Sequence, residues 1–263
     1  MRKEEKKAYV LRLLERRHTV SVAELCVVFQ ISAVSVRKLL AEMEKEDGTI
    51  IRIWGGAMSA SLPPVFGDRP EESAPPQCIR EAEAIAREAY AQIHDGETVF
   101  LGCGSSIQRR LASMLANGNK RQVTVCTNAA LIAYELFRVK GPRIILVGGE
   151  VDFESQCCLG KQARQMLEDL TFDKCFLSTR YFSIERGFSI ESIPEAEVKR
   201  AVLLSSRICY FLMDYSAFGQ NAFSLISPCE PGKRLITDAR MPAEIKARLE
   251  SMGMQVILAS LEE

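Results

Sequence analysis

Three loops rich in small residues are the parts of this chain best suited to chemistry. Gly102-Cys103-Gly104-Ser105-Ser106 follows a strand-like run at 98–101 and leads into a helix-like run. Backbone amides at such a helix start, with two hydroxyls beside them, can hold a phosphate. Thr127-Asn128 follows the run 122–126, and Gly148-Gly149 follows 143–147. Any one of these loops could be no more than a tight turn between strand and helix; their succession at strand ends is what points to an anion. The glycines do not make a dinucleotide fingerprint. Ile107 stands where G-x-G-x-x-G needs its third glycine, and no acidic residue closes the next strand. Charged candidates are Arg180 after 174–178, Glu195, Glu197 and Lys199 in the helix-like run 195–204, and Asp214 after 207–213. Each could bind a ligand or move a proton, or simply be solvated at a strand end. The two histidines, His18 and His94, belong to no nucleophile–base arrangement, so catalytic residues are not expected. Nine cysteines occur without a C-x-x-C pair, which predicts reduced thiols in a cytoplasmic protein with no metal and no cofactor.

A second set of polar residues lies near the N-terminus: Ser32, Ser35, Arg37, Lys38, Arg52, Trp54, Gly55 and Gly56. Stepping outward, three helices can be read around them. The first spans 3–17, with Lys7, Val10, Leu11 and Leu14 on one face. The second opens at Ser21-Val22-Ala23-Glu24, a capping-box pattern. Ser32 caps the third, whose apolar stripe is Val36, Leu39, Leu40 and Met43. Two short helices about a tight turn, the second with an exposed polar start, predict a helix-turn-helix. The turn dipeptide Asp47-Gly48, the β-branched run 49–54 and the pair Gly55-Gly56 predict a wing. Arg37, Lys38 and Arg52 would then meet phosphates or base edges. A cap or dimerisation module with solvated charges has the same pattern.

Charge favours neither reading. Thirty-four basic residues balance thirty-four acidic ones overall. Residues 1–60 hold 11 Lys/Arg and 8 Asp/Glu, a net of +3, and the remainder a net of −3. No apolar run reaches the ~18 residues of a membrane helix, and the charged N-terminus has no signal-peptide core; no membrane partner is expected. Five prolines at 58–76 predict an extended linker between a unit at 1–57 and one at 77–263. In the second unit, short apolar runs at 98–101, 122–126, 143–147, 174–178, 207–213, 234–237 and 255–259 alternate with helical patterns. That alternation predicts an α/β fold with a largely parallel sheet covered on both faces, and ligands in such sheets bind beyond the carboxyl ends of the strands.

The segment 20–57 resembles the winged helix of DeoR-family transcriptional regulators in Ile31-Ser32, in Ser35-Val36-Arg37-Lys38-Leu39-Leu40, and in Arg52-x-x-Gly55-Gly56-Ala57. It departs at Leu39, where the family has aspartate, and at Trp54, where it has histidine. The second unit resembles the family's sensor domain, of a fold related to ribose-5-phosphate isomerase. The matching pieces are Gly104-Ser105-Ser106, Thr127-Asn128-Ala129, Gly148-Gly149, Gly160, Gly187, the helix 195–200 and Asp214-x-Ser216-x-Phe218-Gly219. The resemblance implies a DNA-binding regulator, a repressor more often than an activator, of a carbohydrate operon. Its partners would be an operator duplex and a phosphorylated sugar, with a homo-oligomer presenting paired readers. It implies effector contacts at Gly104, Ser105, Ser106, Thr127, Asn128, Gly148, Gly149, Lys199 and Asp214. Gly102 replaces an acid and Ala217 a lysine of the family pattern, and Arg180-Tyr181 an Asp/Asn-Gly. Arg180, with Lys199, is the expected source of compensating charge. Two other readings stay open: a sugar-phosphate isomerase with an N-terminal cap, and a DNA-binding protein whose second unit only oligomerises.

Overall fold

The computed structural model describes residues 3–17, 19–46, 50–53, 56–59, 76–102, 105–137, 141–153 and 155–261. Trp54, Gly55 and Gly104, His18, Asp47, Gly48, Cys103 and nearly all of the proline-rich stretch lie outside them. The chain divides into two compact units, Met1–Val65 and Phe66–Glu263.

In the first unit the elements are α1 (Lys3–Arg17), β1 (Thr19–Ser21), α2 (Val22–Phe29), α3 (Ala33–Glu46), β2 (Ile50–Ile53) and β3 (Gly56–Ser59). The sheet order is β1-β3-β2, antiparallel throughout. The wing is thus a three-stranded sheet, with β3 paired on both sides; the three residues of β1 were too few to carry a periodic signal. Val10 and Leu14 of α1, Leu25 and Phe29 of α2, and Val36, Leu39, Leu40 and Met43 of α3 form one buried cluster. The apolar residues recur every three or four positions, so each helix turns one stripe inward.

The second unit begins with α4 (Pro76–Ala91), then β4 (Thr98–Leu101), α5 (Ser106–Asn117), β5 (Thr124–Thr127), α6 (Ala130–Phe137) and β6 (Arg143–Leu146). A hairpin of β7 (Glu150–Asp152) and β8 (Cys157–Leu159) precedes α7 (Gly160–Glu168) and β9 (Phe172–Ser178). There follow β10 (Tyr181–Ser183), β11 (Gly187–Ile190), α8 (Ile193–Leu204), β12 (Ser206–Leu212), β13 (Ser224–Ser227), β14 (Arg234–Asp238), α9 (Ala243–Ser251) and β15 (Gln255–Ala259). Seven strands form one sheet in the order β15-β14-β12-β9-β4-β5-β6, and every pairing is parallel. Strand β9 is nearly continuously buried, and β12 is buried over its last three residues, because helices cover both faces. The smaller antiparallel sheet β10-β11-β13 carries Phe182 and Phe188, which pack with Phe211 and Phe218.

Chain order sets where a ligand can go. From β4 the chain moves outward through β5 to β6, whereas from β9 it moves the other way through β12 to β14 and β15. Adjacent strands β4 and β9 therefore flank the switch point, where their carboxyl-end loops part and leave a crevice. Eight cysteines are described, all free thiols, with Cys126, Cys157, Cys158 and Cys175 buried and Cys78 exposed. Burial pushes the Cys126 thiol up to about 12. No helix among the described residues is long and apolar enough to cross a membrane.

Candidate effector cleft and nucleic-acid interface

A cleft of about 400 Å³ opens at the switch point, large enough for a small metabolite. One wall is the start of α5, where Ser105 caps the helix: its Oγ accepts from Gln108 N at 3.3 Å, and Ser106 follows as the first helical residue. The opposite wall is the start of α8. Here Ser192 Oγ accepts from Glu195 N at 3.3 Å and Pro194 supplies the fixed φ of a first turn. Both helices are twelve residues long, and both turn their positive dipole ends on the cleft. The floor comes from Ser178, Thr179, Arg180 and Tyr181 after β9, and from Met213 and Asp214 after β12; Asp152 and Ser155 reach in from the β7–β8 hairpin.

Four carboxylates line this space, and each already has a donor. Asp152 accepts from Ser155 N and Oγ, both at 2.7 Å. Glu191 accepts from Tyr181 Oη at 2.6 Å, which raises the phenol's pKa. Asp214 accepts from Ser216 N at 2.8 Å and from Ser216 Oγ, capping a 3₁₀ turn at Tyr215–Ala217. Glu195 faces Lys199 Nζ at 2.9 Å, and the same ammonium donates to Ser178 O at 2.7 Å. Lys199 is 3% exposed, so its charge is largely spent on Glu195. Arg180 differs: it lines the cleft, is exposed, and has no ion-pair partner among the described residues. Two helix N-termini and one uncommitted guanidinium make an environment suited to an anion.

Of the effector residues expected from sequence, Ser105, Ser106, Arg180, Lys199 and Asp214 meet in this cleft. Thr127, Asn128, Gly148 and Gly149 are not among its lining residues, because β5 and β6 lie on the far side of β4. Thr127 Oγ1 accepts from Ala129 N at 3.1 Å, and Asn128 exchanges two bonds with Cys158: N–H to Asn128 O at 2.8 Å and Asn128 Nδ2 to Cys158 O at 3.0 Å. Gly149 lets the chain pass α7; a Cβ there would stand 2.6 Å from Leu159 O. Asn128 and Gly149 thus hold the hairpin whose tip reaches the cleft. Gly102 is closely packed: an added Cβ would meet Leu177 Cδ2 at 3.2 Å, so a side chain there needs Leu177 to yield by a few tenths of an ångström, and Gln108 Nε2 donates to Phe176 O beside it at 2.7 Å. Ala217 is buried at the cleft edge. Ser192, Thr179, Glu191 and the Asp152–Ser155 pair were not expected. Ser192-Ile193-Pro194-Glu195 did carry a signal, the S-x-x-E pattern with proline inside it.

Behind the cleft, Asp238 is buried and accepts from Tyr215 N at 2.7 Å, while Arg240 lies 3.5 Å over the Tyr215 ring. The same guanidinium pairs with Glu81 of α4 and with Asp238. Burial raises the Glu81 carboxyl, the Asp238 charge raises it further, and Arg240 opposes both.

In the first unit, α3 buries Val36, Leu39, Leu40 and Met43 and exposes Ser32, Val34, Ser35, Arg37 and Lys38 around its start. Ser32 Oγ accepts from Ser35 N at 3.3 Å and meets Ser35 Oγ at 3.0 Å, so both hydroxyls serve the cap. Gln30 makes the turn into this helix at φ 52. Lys3 Nζ pairs with Glu42 at 2.7 Å and lowers its pKa. Arg52 lies on β2 opposite Ala57, and Gly56 begins β3.

A helix-turn-helix with a wing, followed in the chain by a parallel α/β unit with a switch-point cleft, is the architecture of a DNA-binding regulator. Residues 7–62 match the DeoR-like helix-turn-helix domain and residues 77–239 the DeoR C terminal sensor domain. The chain belongs to the DeoR family of transcriptional regulators. It is 30% identical over 245 residues to the lactose phosphotransferase system repressor of Staphylococcus epidermidis, covering 92% of this chain and 94% of that one. It is 29% identical over 258 residues to the HTH-type transcriptional regulator GolR of Listeria innocua, covering 97% and 98%. Among solved structures, ribose 5-phosphate isomerase from Plasmodium falciparum matches 53% of each chain at 14% identity with a TM-score of 0.38. The relatives are transcriptional regulators, sugar-operon repressors among them.

Proposed function

We propose that this protein is a cytoplasmic transcriptional repressor of carbohydrate-utilisation genes, acts as a symmetric oligomer, performs no catalysis, and is controlled by a phosphorylated sugar bound in the switch-point cleft. The observation that carries the reading is the convergence of the α5 and α8 N-termini with Arg180 on one crevice. The phosphate would sit among Ser105, Ser106 and Arg180. The sugar hydroxyls would face Asp214, Glu191 and the Lys199–Glu195 pair, which offer acceptors and donors at fixed positions. Because Lys199 is already neutralised, Arg180 supplies the charge that the family's lysine at position 217 would give. The relative named for a lactose phosphotransferase system fits a phosphorylated carbohydrate as effector. A ligand that favours one arrangement of the DNA-reading helices changes operator affinity by its differential affinity for the two states.

A thermal-melt screen of the full chain against sugar phosphates, the free sugars and inorganic phosphate tests this. A ligand binding only the folded state at 100 times its Kd stabilises by about 2.7 kcal/mol. The expected result is a selective shift with a phosphorylated sugar and none with its unphosphorylated parent. Equal shifts with both forms, or none across the panel, contradict the reading.

A further inference from the structure

Val34 is an anomaly on the face of α3 that stays outside the core. It is 72% exposed, in the first turn of a helix, where a β-branched apolar side chain contributes nothing to the cap and has low helix propensity. Its neighbours along that face are Arg37 and Lys38, three and four residues on, both exposed. Ser32 and Ser35, the polar groups beside it, are turned to each other and to the helix start. The carboxylate farther along the same ridge, Glu42, is answered by Lys3 at 2.7 Å. What this face offers a partner is therefore one apolar knob framed by two cations, complementary to a surface that is anionic at its edges and apolar at one point.

Duplex DNA has such a surface. The thymine C5-methyl is the apolar group that a major groove presents, and it lies between rows of phosphates. A helix-turn-helix sets the N-terminal residues of its second helix against base edges. We propose that Val34 is a specificity-determining residue that packs on a thymine methyl, so that each half-site requires T at one position, while Arg37 and Lys38 hold the flanking guanine edge or phosphates. The inference rests on the DNA-binding role of the first unit. Val27 and Val28 of α2 are also exposed, and a second copy of the chain is the competing occupant for Val34.

The test uses the full chain. Duplexes are enriched from a random-sequence pool, and the winning duplex is remade with deoxyuridine in place of each thymine in turn, which deletes only the methyl. Affinities are measured for the wild type and for Val34→Ala, a change that is exposed and raises helix propensity, so the fold survives. At one thymine per half-site the wild type should lose about fourfold on deoxyuridine, the worth of one buried methyl group. Val34→Ala should lose nothing there and should bind the thymine duplex as the wild type binds the deoxyuridine one. Identical deoxyuridine scans for the two proteins overturn the inference. So does a uniform loss on all duplexes accompanied by a lower solution mass, which would assign Val34 to a contact between copies. Failure to enrich any sequence overturns the DNA-binding role and this inference with it.

Discussion

The loops after β4 and β9 and the loops after β5 and β6 are written in similar residues, yet they do different work. Ser105-Ser106 and Thr179-Arg180 line the cleft, whereas Asn128 bonds to Cys158 of the β7–β8 hairpin, Thr127 Oγ1 accepts from Ala129 N, and Gly149 gives the chain room to pass Leu159. The four strands lie side by side in one parallel sheet. What separates the loops is the direction in which the chain leaves each strand: β4 and β9 send it opposite ways and open a crevice, while β5 and β6 continue the same way from β4 and flank no such switch. A small-residue loop at a strand end is thus a candidate for binding, and the strand order decides whether it has a space to bind into.

Removing the ammonium of Lys199 should have the largest effect, because it faces Glu195 inside the protein and satisfies Ser178 O. Lys199→Met should cost about 3–5 kcal/mol of unfolding free energy, read by urea denaturation; a loss below 1 kcal/mol would mean that the cleft does not depend on this pair. Arg240→Met acts on the support behind Asp214, leaving the Glu81 and Asp238 carboxylates without their shared guanidinium. A carboxyl whose folded pKa is raised stabilises the fold below its unfolded pKa and loses that contribution as pH rises through the folded value. Glu81 is such a group, and without Arg240 its carboxyl moves higher. The variant's deficit relative to the wild type should therefore be larger at pH 7.5 than at pH 5; the opposite order would show that burial does not govern Glu81.

Two smaller changes divide the loops directly. Asn128→Ala should cost about 1 kcal/mol by removing the bond from its Nδ2 to Cys158 O, yet leave affinity for a cleft ligand within twofold. Arg180→Ala should leave stability within about 0.5 kcal/mol and weaken that ligand about tenfold or more, the worth of a charged hydrogen bond. Isothermal titration with the phosphorylated sugar giving the largest melt shift checks both. If the two variants exchange behaviours, the assignment of cleft and brace is reversed.

The parallel sheet was legible because its strands are short apolar runs between helical repeats; 98–101 and 255–259 coincide with β4 and β15. The strands that went unread, β1, β3, β7, β8, β10, β11 and β13, are three or four residues long, and unlike the apolar β4 of the same length most are broken by glycine, serine or acidic residues. Ser105, Ser106, Arg180 and Asp214 were readable from one rule, that ligands sit beyond strand ends, whereas Lys199 was a charged position in the helix-like run 195–204. Thr127, Asn128 and the glycine pair satisfied the same rule, and only strand order, which no local pattern carries, sets them apart. Glu191 and Asp152 reach the cleft through the small antiparallel elements, so they were unreadable for as long as those elements were, whereas Thr179 follows β9 directly and went unread beside the charged Arg180. On α3 the reverse held: Ser32 and Ser35 stood out as polar, but their hydroxyls cap the helix, and the exposed Val34 carries more information than either.

The most direct test of the whole account is the operator affinity of the full chain, measured with and without the sugar phosphate selected by the melt screen, for the wild type and for Arg180→Ala. The account predicts that saturating ligand changes wild-type operator affinity at least fivefold, and that Arg180→Ala shows the same change only at about tenfold higher ligand. An operator affinity unmoved by saturating ligand, or a response equally sensitive in both proteins, would contradict it.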